Sequence, residues 1–376
     1  MTPASPLTDA RLDELRRVGD PEVDAIVRDY VTRTGEGVGR LLGRLFGAPE
    51  LPLEHPLVAA CWAAFPAVAI DEPARVERGQ RLFDLYGPEI LLTLGSCALP
   101  LAYAAGNGVQ VVARARRLKD DPIRRLCDTA QMVINVMQPG ELAENGVGWY
   151  SARKVRLIHA LIRLHVQTDR ELAPWRDEWG TPINQEDLAG TLLTFSVGVL
   201  TGLRRMGAHV SSADAEAYMC AWRAVGRIVG VAEDLLPPNE ELGLALAYRI
   251  GKRQVRPTEE GRELSNTLLA AVDSLFPVRG YATSLSHFFL TDSPFGEDVA
   301  RVLGIPEPNW TRYLVKLRAA QKRVVFDWLE VVPGAKTRRS YVARHFAQRA
   351  LRLKHPDGRG PFAVPPRLQR LWGVSA

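Results

Sequence analysis

One stretch, Ser151 to Gln167 (SARKVRLIHALIRLHVQ), limits what this chain can become. Between Val155 and Val166, every residue other than two arginines and two histidines is Val, Leu, Ile or Ala. A helix that is apolar almost all round has no wet face and must be buried on every side. Arg156, His159 and Arg163 interrupt it at i, i+3 and i+7, which at about 100° per residue puts them on one narrow face. Two guanidinium groups flanking an imidazole in an apolar interior are costly unless something compensates them. His165 lies roughly 120° away round the helix and does not join that cluster.

Two kinds of compensation are open. In the plainer one, the arginines pair with Asp or Glu from neighbouring helices and the imidazole bonds to a backbone carbonyl, as a core histidine usually does. In the other, a haem fills the face: its iron takes the imidazole and its propionates take the guanidinium forks. Periodicity does not choose between them.

Composition and punctuation bound the rest. A chain of 376 residues, 46% hydrophobic and 24% charged, has the make-up of a globular protein that can bury a sizeable core. The net charge of +5 is mostly arginine, part of it in the run Lys336, Arg338, Arg339, Arg344, Arg349, Arg352 and Arg370. That run carries no nucleic-acid reading motif and is expected to be a solvated basic face. Cys61, Cys97, Cys127 and Cys220 form no CxxC, which argues against zinc or thioredoxin chemistry, and no CxxCH, which excludes covalent haem attachment. The E-x-x-H, H-E-x-x-H, G-x-S-x-G, P-loop and D-D-x-x-D signatures are missing as well. Met1 to Glu14 has no apolar h-region, and the run Ile90 to Ala105 falls short of the ~18 to 20 residues that span a bilayer. The expectation is a cytoplasmic protein without stable membrane insertion; nothing in the sequence sets its oligomeric state.

Helical periodicity and caps run through nearly the whole chain. Asp20-Pro21, Asp71, Asp121-Pro122 and Asn184 are expected starts, and Gly87-Pro88 is expected to open a new helix. Pro122 to Met137 and the His159 helix, joined by the Gly-rich loop Glu141 to Trp149, are expected to pack as antiparallel neighbours. Further helices are expected over Gln185–Met206, Ser212–Val229, Glu240–Arg253, Thr258–Leu275, Val278–Leu290, Pro308–Glu330 and Arg338–Leu353. No run of alternating strands appears. The fold expected is all-α, a single large helical domain over 1–376, with a core over 20–308 and a C-terminal helical extension and tail over 309–376.

Five segments in order then carry a resemblance. They are Arg124-Arg125-Leu126-x-x-Thr129, Val136-Met137-x-Pro139-Gly140, Lys154-Val155-Arg156-Leu157-Ile158-His159-Ala160-x-x-Arg163, Pro182-Ile183-Asn184-Gln185-Glu186-Asp187 and Trp222-x-x-x-Gly226. Their order and spacing resemble the latex clearing protein and MpaB-type oxygenases over roughly residues 20–308. The resemblance implies a globin-like all-α fold, a non-covalent haem b, and an enzyme that uses dioxygen to oxidise or cleave a C=C bond of a hydrophobic terpenoid-like or aromatic substrate. By it, His159 is the proximal iron ligand, Arg156 and Arg163 stand around that ligand and the propionates, and Arg125 and Thr129 are the distal pair. Where rubber-cleaving members have a lysine before the distal threonine, this chain has Asp128, which is either a polar or general-base group or a partner of Arg124 or Arg125. The family's distal glutamate has no match in Val109 to Leu118. His287 lies near a haem-proximal basic residue of the family, but a surface or core role suits it better. A haem protein that senses a gas or passes electrons without turnover is the alternative, and a haem-free helical protein the third.

Overall fold

The computed structural model describes residues 7–47, 53–66, 68–114, 122–168, 172–291, 295, 298–335 and 337–343. Most of the basic C-terminal run, the end of the helix expected over Arg338–Leu353 and the tail Pro356 to Pro366 therefore lie outside the described residues. So do residues 115–118 of the stretch Val109 to Leu118 and the Asp121 cap.

Helices follow one another along the described chain: α1 (Asp9–Leu15), α2 (Pro21–Thr34), α3 (Val38–Gly47), α4 (Pro56–Ala64), α5 (Pro73–Thr93), α6 (Leu99–Ala104) and α7 (Val109–Arg114). After them come α8 (Pro122–Val136), α9 (Val147–Thr168), α10 (Gln185–Phe195), α11 (Val197–Arg205) and α12 (Ser212–Val229). Then follow α13 (Glu240–Gln254), α14 (Glu259–Asp273), α15 (Tyr281–Leu290), α16 (Val299–Val302) and α17 (Thr311–Val331). Among the described residues the only β pairing is an isolated bridge between Ala105 and Val255. The all-α expectation holds.

The placement of α9 follows from its lack of a polar face. Leu157, Ala160, Leu161 and Leu164 pack with Val23 and Val27 of α2, Leu41 and Leu45 of α3 and Leu57, Val58 and Cys61 of α4. Trp149 and Ala152, one to two turns earlier, belong to the larger core built by α5, α8 and α10 to α17. The helix is thus the seam between two apolar clusters, which is why it has no wet side.

Several boundaries differ from the expected ones, each for a local reason. Gly87-Pro88 does not open a helix: α5 runs through it with one kink, where Tyr86 adopts φ −119° and ψ 17°. Pro88 removes one amide donor and bends the helix without ending it. A π-turn, Leu94–Ala98, then joins α5 to α6. The continuous helical run Pro73–Ala104 is long and apolar enough to cross a membrane by length and composition, but 72% of its most apolar window is buried inside the protein. Asp71 does not cap α5. Its carboxylate accepts from Arg227 at 2.7 Å, and the capping position falls to Glu72 with φ 53°. The helix expected over Gln185–Met206 breaks at Ser196 (φ −96°, ψ −89°) into α10 and α11.

The tightest helix crossing is that of α5 on α12. At Gly79 a Cβ would lie 2.1 Å from the Ala217 carbonyl oxygen and 2.8 Å from the Tyr218 nitrogen, so only glycine lets the two backbones meet. Gly79→Ala must push the helices apart and is expected to cost about 3 kcal/mol, at the upper end of overpacking effects. Gly37→Ala, with nothing within 4 Å of the new Cβ, serves as control. Urea unfolding of the two variants side by side checks this; equal midpoints would refute it.

Candidate functional site

The site is built on the antiparallel pair α8 and α9, as their short connection requires. Near the loop the two helices are zipped by polar groups: Gln131 Nε2 donates to Asn135 Oδ1 at 2.8 Å and Asn135 Nδ2 donates to Ser151 Oγ at 2.8 Å. Helical spacing carries the Ser151 face onward to Val155, Ile158 and Ile162. Those three and His159 are only partly buried, although the helix is otherwise a core element. On α8, Arg125, Leu126, Thr129 and Ala130 are partly buried as well.

His159 lies deep enough for burial to pull its imidazole down to about 3, with the charges of Arg163 and Arg125 adding to the effect. Its Nδ1 is enclosed and makes no hydrogen bond. Burial likewise pushes the Arg125 guanidinium below its ordinary range, while Tyr103 and Asp128 pull it back up. His159 and Arg125 are thus deep in the protein and yet only partly covered. The structure therefore brings Arg125 and His159 within electrostatic reach of each other, with Thr129 one turn along α8 from Arg125.

The arginines beside His159 meet a different arrangement from the one the resemblance implies. Arg156 donates from Nε to Asp20 Oδ2 at 2.5 Å and from Nη2 to Asp20 Oδ1 at 3.0 Å, with both side chains under 10% exposed. Its guanidinium also lies over the Phe65 ring at 5.1 Å. Arg163 Nε donates to Asp24 at 2.8 and 2.9 Å, and its Nη1 donates to the Ile183 carbonyl at 3.1 Å. Carboxylates at the start of α2 thus compensate the buried cations, the plainer of the two possibilities. Only Arg163 Nη2 keeps an enclosed nitrogen without an acceptor. The same bonds explain why Asp20 occupies the first capping position of α2 without capping: its carboxylate is engaged by Arg156, and Asp24 Oδ2 accepts from the Asp20 amide instead, at 3.1 Å.

The remaining segments frame this arrangement. Asn184 caps α10 as expected, its Oδ1 accepting from the Asp187 amide at 3.0 Å. Glu186 and Asp187 are held by Arg16 at 2.9 and 3.0 Å, which ties the N-terminal segment to the core. Trp222 stacks on Phe195 with ring centroids 5.3 Å apart. Gly230, with φ 93°, closes α12 and leaves no room for a Cβ above the Arg156–Asp20 pair, whose nearest atoms would lie at 2.8 and 3.0 Å. His287 Nε2 meets the Pro306 carbonyl at 2.9 Å, away from α9.

The sequence gives no role to two groups near His159 and Arg125, Lys154 and Tyr103, and they stand beside Asp128, to which it does. Lys154 is buried, and burial lowers its ammonium to about 8, with Asp128 opposing that shift. Asp128 is exposed at its own surface yet lies within electrostatic reach of both Lys154 and Arg125. Tyr103, on α6, is close enough to Arg125 for that charge to oppose the upward push of burial on its hydroxyl. A lysine inside an otherwise apolar helix one turn before His159 was the available signal for the first.

The imidazole has a measurable consequence. Its folded value lies below its ordinary 6.5, so between pH 6.5 and about 3 the unfolded chain takes up a proton that the folded protein does not. Stability is then greatest above 6.5 and is lost as pH falls through that window, by up to about 1.4 kcal/mol per pH unit. Urea unfolding of the ligand-free protein and of His159→Phe at pH 7, 5.5 and 4.5 should show the steeper loss in the histidine form. Parallel losses would mean the ring is not held neutral.

Comparison with known proteins places this geometry. The profile of the catalytic domain of the ER-bound oxygenase mpaB/B′ and rubber oxygenase matches residues 79–326. The rubber oxygenase of Streptomyces sp. (strain K30) is 26% identical over 265 residues, 68% of this chain and 60% of that protein. The chain thus spans about 60% of the length of that relative. The solved structure of latex clearing protein LCP in the closed state superposes with a TM-score of 0.63 at 20% identity, over 88% of this chain and 90% of that one. That likeness is one of fold.

Proposed function

Since the chain belongs to the family of the mpaB and rubber oxygenase catalytic domain, we propose that it is a haem b-dependent oxygenase acting with dioxygen on a C=C bond of a hydrophobic terpenoid-like or aromatic substrate. The observation that carries this reading is the His159 imidazole. It is buried and held neutral, its Nδ1 has no hydrogen-bond partner, and it lies on the partly open face between α8 and α9. A buried polar atom left without a partner costs about 1 to 3 kcal/mol unless a ligand resolves it, and a neutral imidazole is the form that binds a metal. The residues present therefore fit a haem through its iron ligand. They fit it less through the propionates, because Asp20 and Asp24 already engage Arg156 and Arg163, and only Arg163 Nη2 remains to meet an acid. When bound, haem b would supply activation of dioxygen, which takes up the electrons that the C=C bond gives up.

The chain's own groups have definable tasks. His159 would hold and orient the cofactor from α9. Arg125 and Thr129 present a cation and a hydroxyl from α8, suited to orienting a polar oxidant or a water beside the substrate. Asp128 and Lys154 are within electrostatic reach of each other beside this face, where Lys154, lowered to about 8, is able to change its protonation near neutral pH. Val155, Ile158, Ile162, Leu126 and Ala130 keep the lining apolar, which favours an alkene over water. Absorption spectra of the purified protein, with and without dithionite and carbon monoxide, test the proposal. A Soret band that shifts with carbon monoxide, and product from an alkene panel under oxygen, are expected. Colourless protein that cannot be reconstituted with haemin would refute it.

A further inference from the structure

Nine of the twelve large hydrophobic side chains that are exposed among the described residues lie between positions 310 and 342. Most are on α17 and its N-terminal edge. One side of α17 is accounted for: Phe326 meets Tyr86 edge-on at 5.2 Å, Val315 and Leu329 are buried, and Lys322 is paired with the buried carboxylate of Glu89. The other side carries Trp310, Tyr313, Leu317, Val324, Trp328 and Val331, from 55% to 79% exposed. Their steps of three, four, seven, four and three residues form a heptad-like stripe about 30 Å long. An apolar stripe of this length on a soluble surface marks an interaction site.

The pattern of the stripe says what covers it. Its spacing is its own mirror image about a point between Ala320 and Gln321. An isologous two-fold contact between antiparallel helices requires that symmetry, since each residue must meet its counterpart from the other end. Charge has the matching polarity. Arg312, Lys316 and Arg318 occupy the first half of α17, Lys322 and Arg323 follow directly after its midpoint, and Asp327 and Glu330 occupy the last turns. A parallel pair would set like charges together, and an antiparallel pair brings Arg312 and Lys316 alongside the opposite charges. Ala320, exposed at the centre beside the stripe, allows the backbones to approach. The chain that follows Ala343 has seven Lys and Arg against the single Asp357, the same sign as the first part of α17, so charge disfavours it as the cover.

We propose that the exposed face of α17 is a homodimer interface in which two copies pair antiparallel about Ala320 and Gln321. Trp310 then packs against the partner's Val331, Tyr313 against the partner's Trp328, and Leu317 against the partner's Val324.

Cysteine scanning of the full chain tests both the dimer and its register. The four native cysteines are buried and give a quiet background. Ala320→Cys lies next to the two-fold axis and is expected to form a disulfide-linked dimer on mild oxidation. Val331→Cys should not link to its own copy, because the two positions would be about 30 Å apart. Sedimentation of the unmodified full chain over a concentration series should show a dimer. Leu317→Glu, in the middle of the stripe, should raise its dissociation constant at least about thirtyfold, the effect of a central interface anchor. A monomer throughout the series would overturn the proposal, as would Val331→Cys linking faster than Ala320→Cys or Leu317→Glu leaving the dimer unchanged. A monomer that also sediments with phosphatidylcholine–phosphatidylserine vesicles would overturn it in favour of a lipid surface.

Discussion

His159→Ala is expected to abolish the Soret absorption of the purified protein and, with it, oxidation of any alkene substrate. Loss of groups that merely support a metal ligand lowers affinity roughly 10- to 100-fold. Loss of the ligand itself should therefore cost at least about 100-fold in haem affinity, enough to give colourless protein after purification. The fold should survive. The imidazole makes no hydrogen bond at Nδ1, so its removal strands no partner. It also lies on a partly accessible stripe rather than in the fully packed face of Leu157, Ala160 and Leu161. Far-ultraviolet circular dichroism and the urea midpoint of the ligand-free variant should stay near those of the parent at pH 7. The readout that matters is the haem-to-protein ratio. A ratio of one in the alanine variant would mean that the iron is held elsewhere, and the oxygenase reading would lose the residue it rests on.

Asp20→Ala should be the most destabilising carboxylate substitution near the site. Asp20 is 5% exposed and bidentate to Arg156, itself under 10% exposed. Removing the acid leaves the guanidinium, closed over by Gly230 and the Phe65 ring, with only the exposed Glu22 carboxylate 3.8 Å away. Breaking a buried pair in this way costs about 3 to 5 kcal/mol, which lowers Tm on the order of 10 °C. The exposed Arg33–Asp29 pair gives the contrast, with side chains 67% and 60% exposed. Asp29→Ala should cost under about 1 kcal/mol. Removing both charges with Asp20→Ala and Arg156→Met should recover much of the loss, because the penalty belongs to the unpaired charge. Differential scanning calorimetry on the parent and the three variants decides it: if Asp20→Ala falls no further than Asp29→Ala, the pair does not hold α9 to α2.

Which features could be read from residue order depended on how local their causes are. The burial of α9, its antiparallel pairing with α8 and the Asn184 cap rest on spacings within one helix or one short loop, and all appear in the structure. The Asp20 and Asp71 caps did not form, because each carboxylate found an arginine far along the chain, Arg156 and Arg227. A short polar side chain has several possible partners, and residue type alone does not say which comes within reach. Pro88 was expected at a helix start and sits inside α5, where packing on α12 outweighs one missing hydrogen bond. Asp20 and Asp24, one helical turn apart, were the available hint that Arg156 and Arg163 had acids to meet.

By itself the sequence determined that the protein is helical, that the Ser151–Gln167 segment is a core helix and that a histidine flanked by arginines would lie in it. It could do so because hydrophobic periodicity is a property of neighbouring residues. Only the tertiary structure decided that α2 supplies the carboxylates for those arginines, that His159 is left without a hydrogen bond at Nδ1 beside Arg125, and that α17 keeps an uncovered apolar stripe. Those outcomes depend on which distant segments come into contact, and on the balance between ion pairing and desolvation once they do.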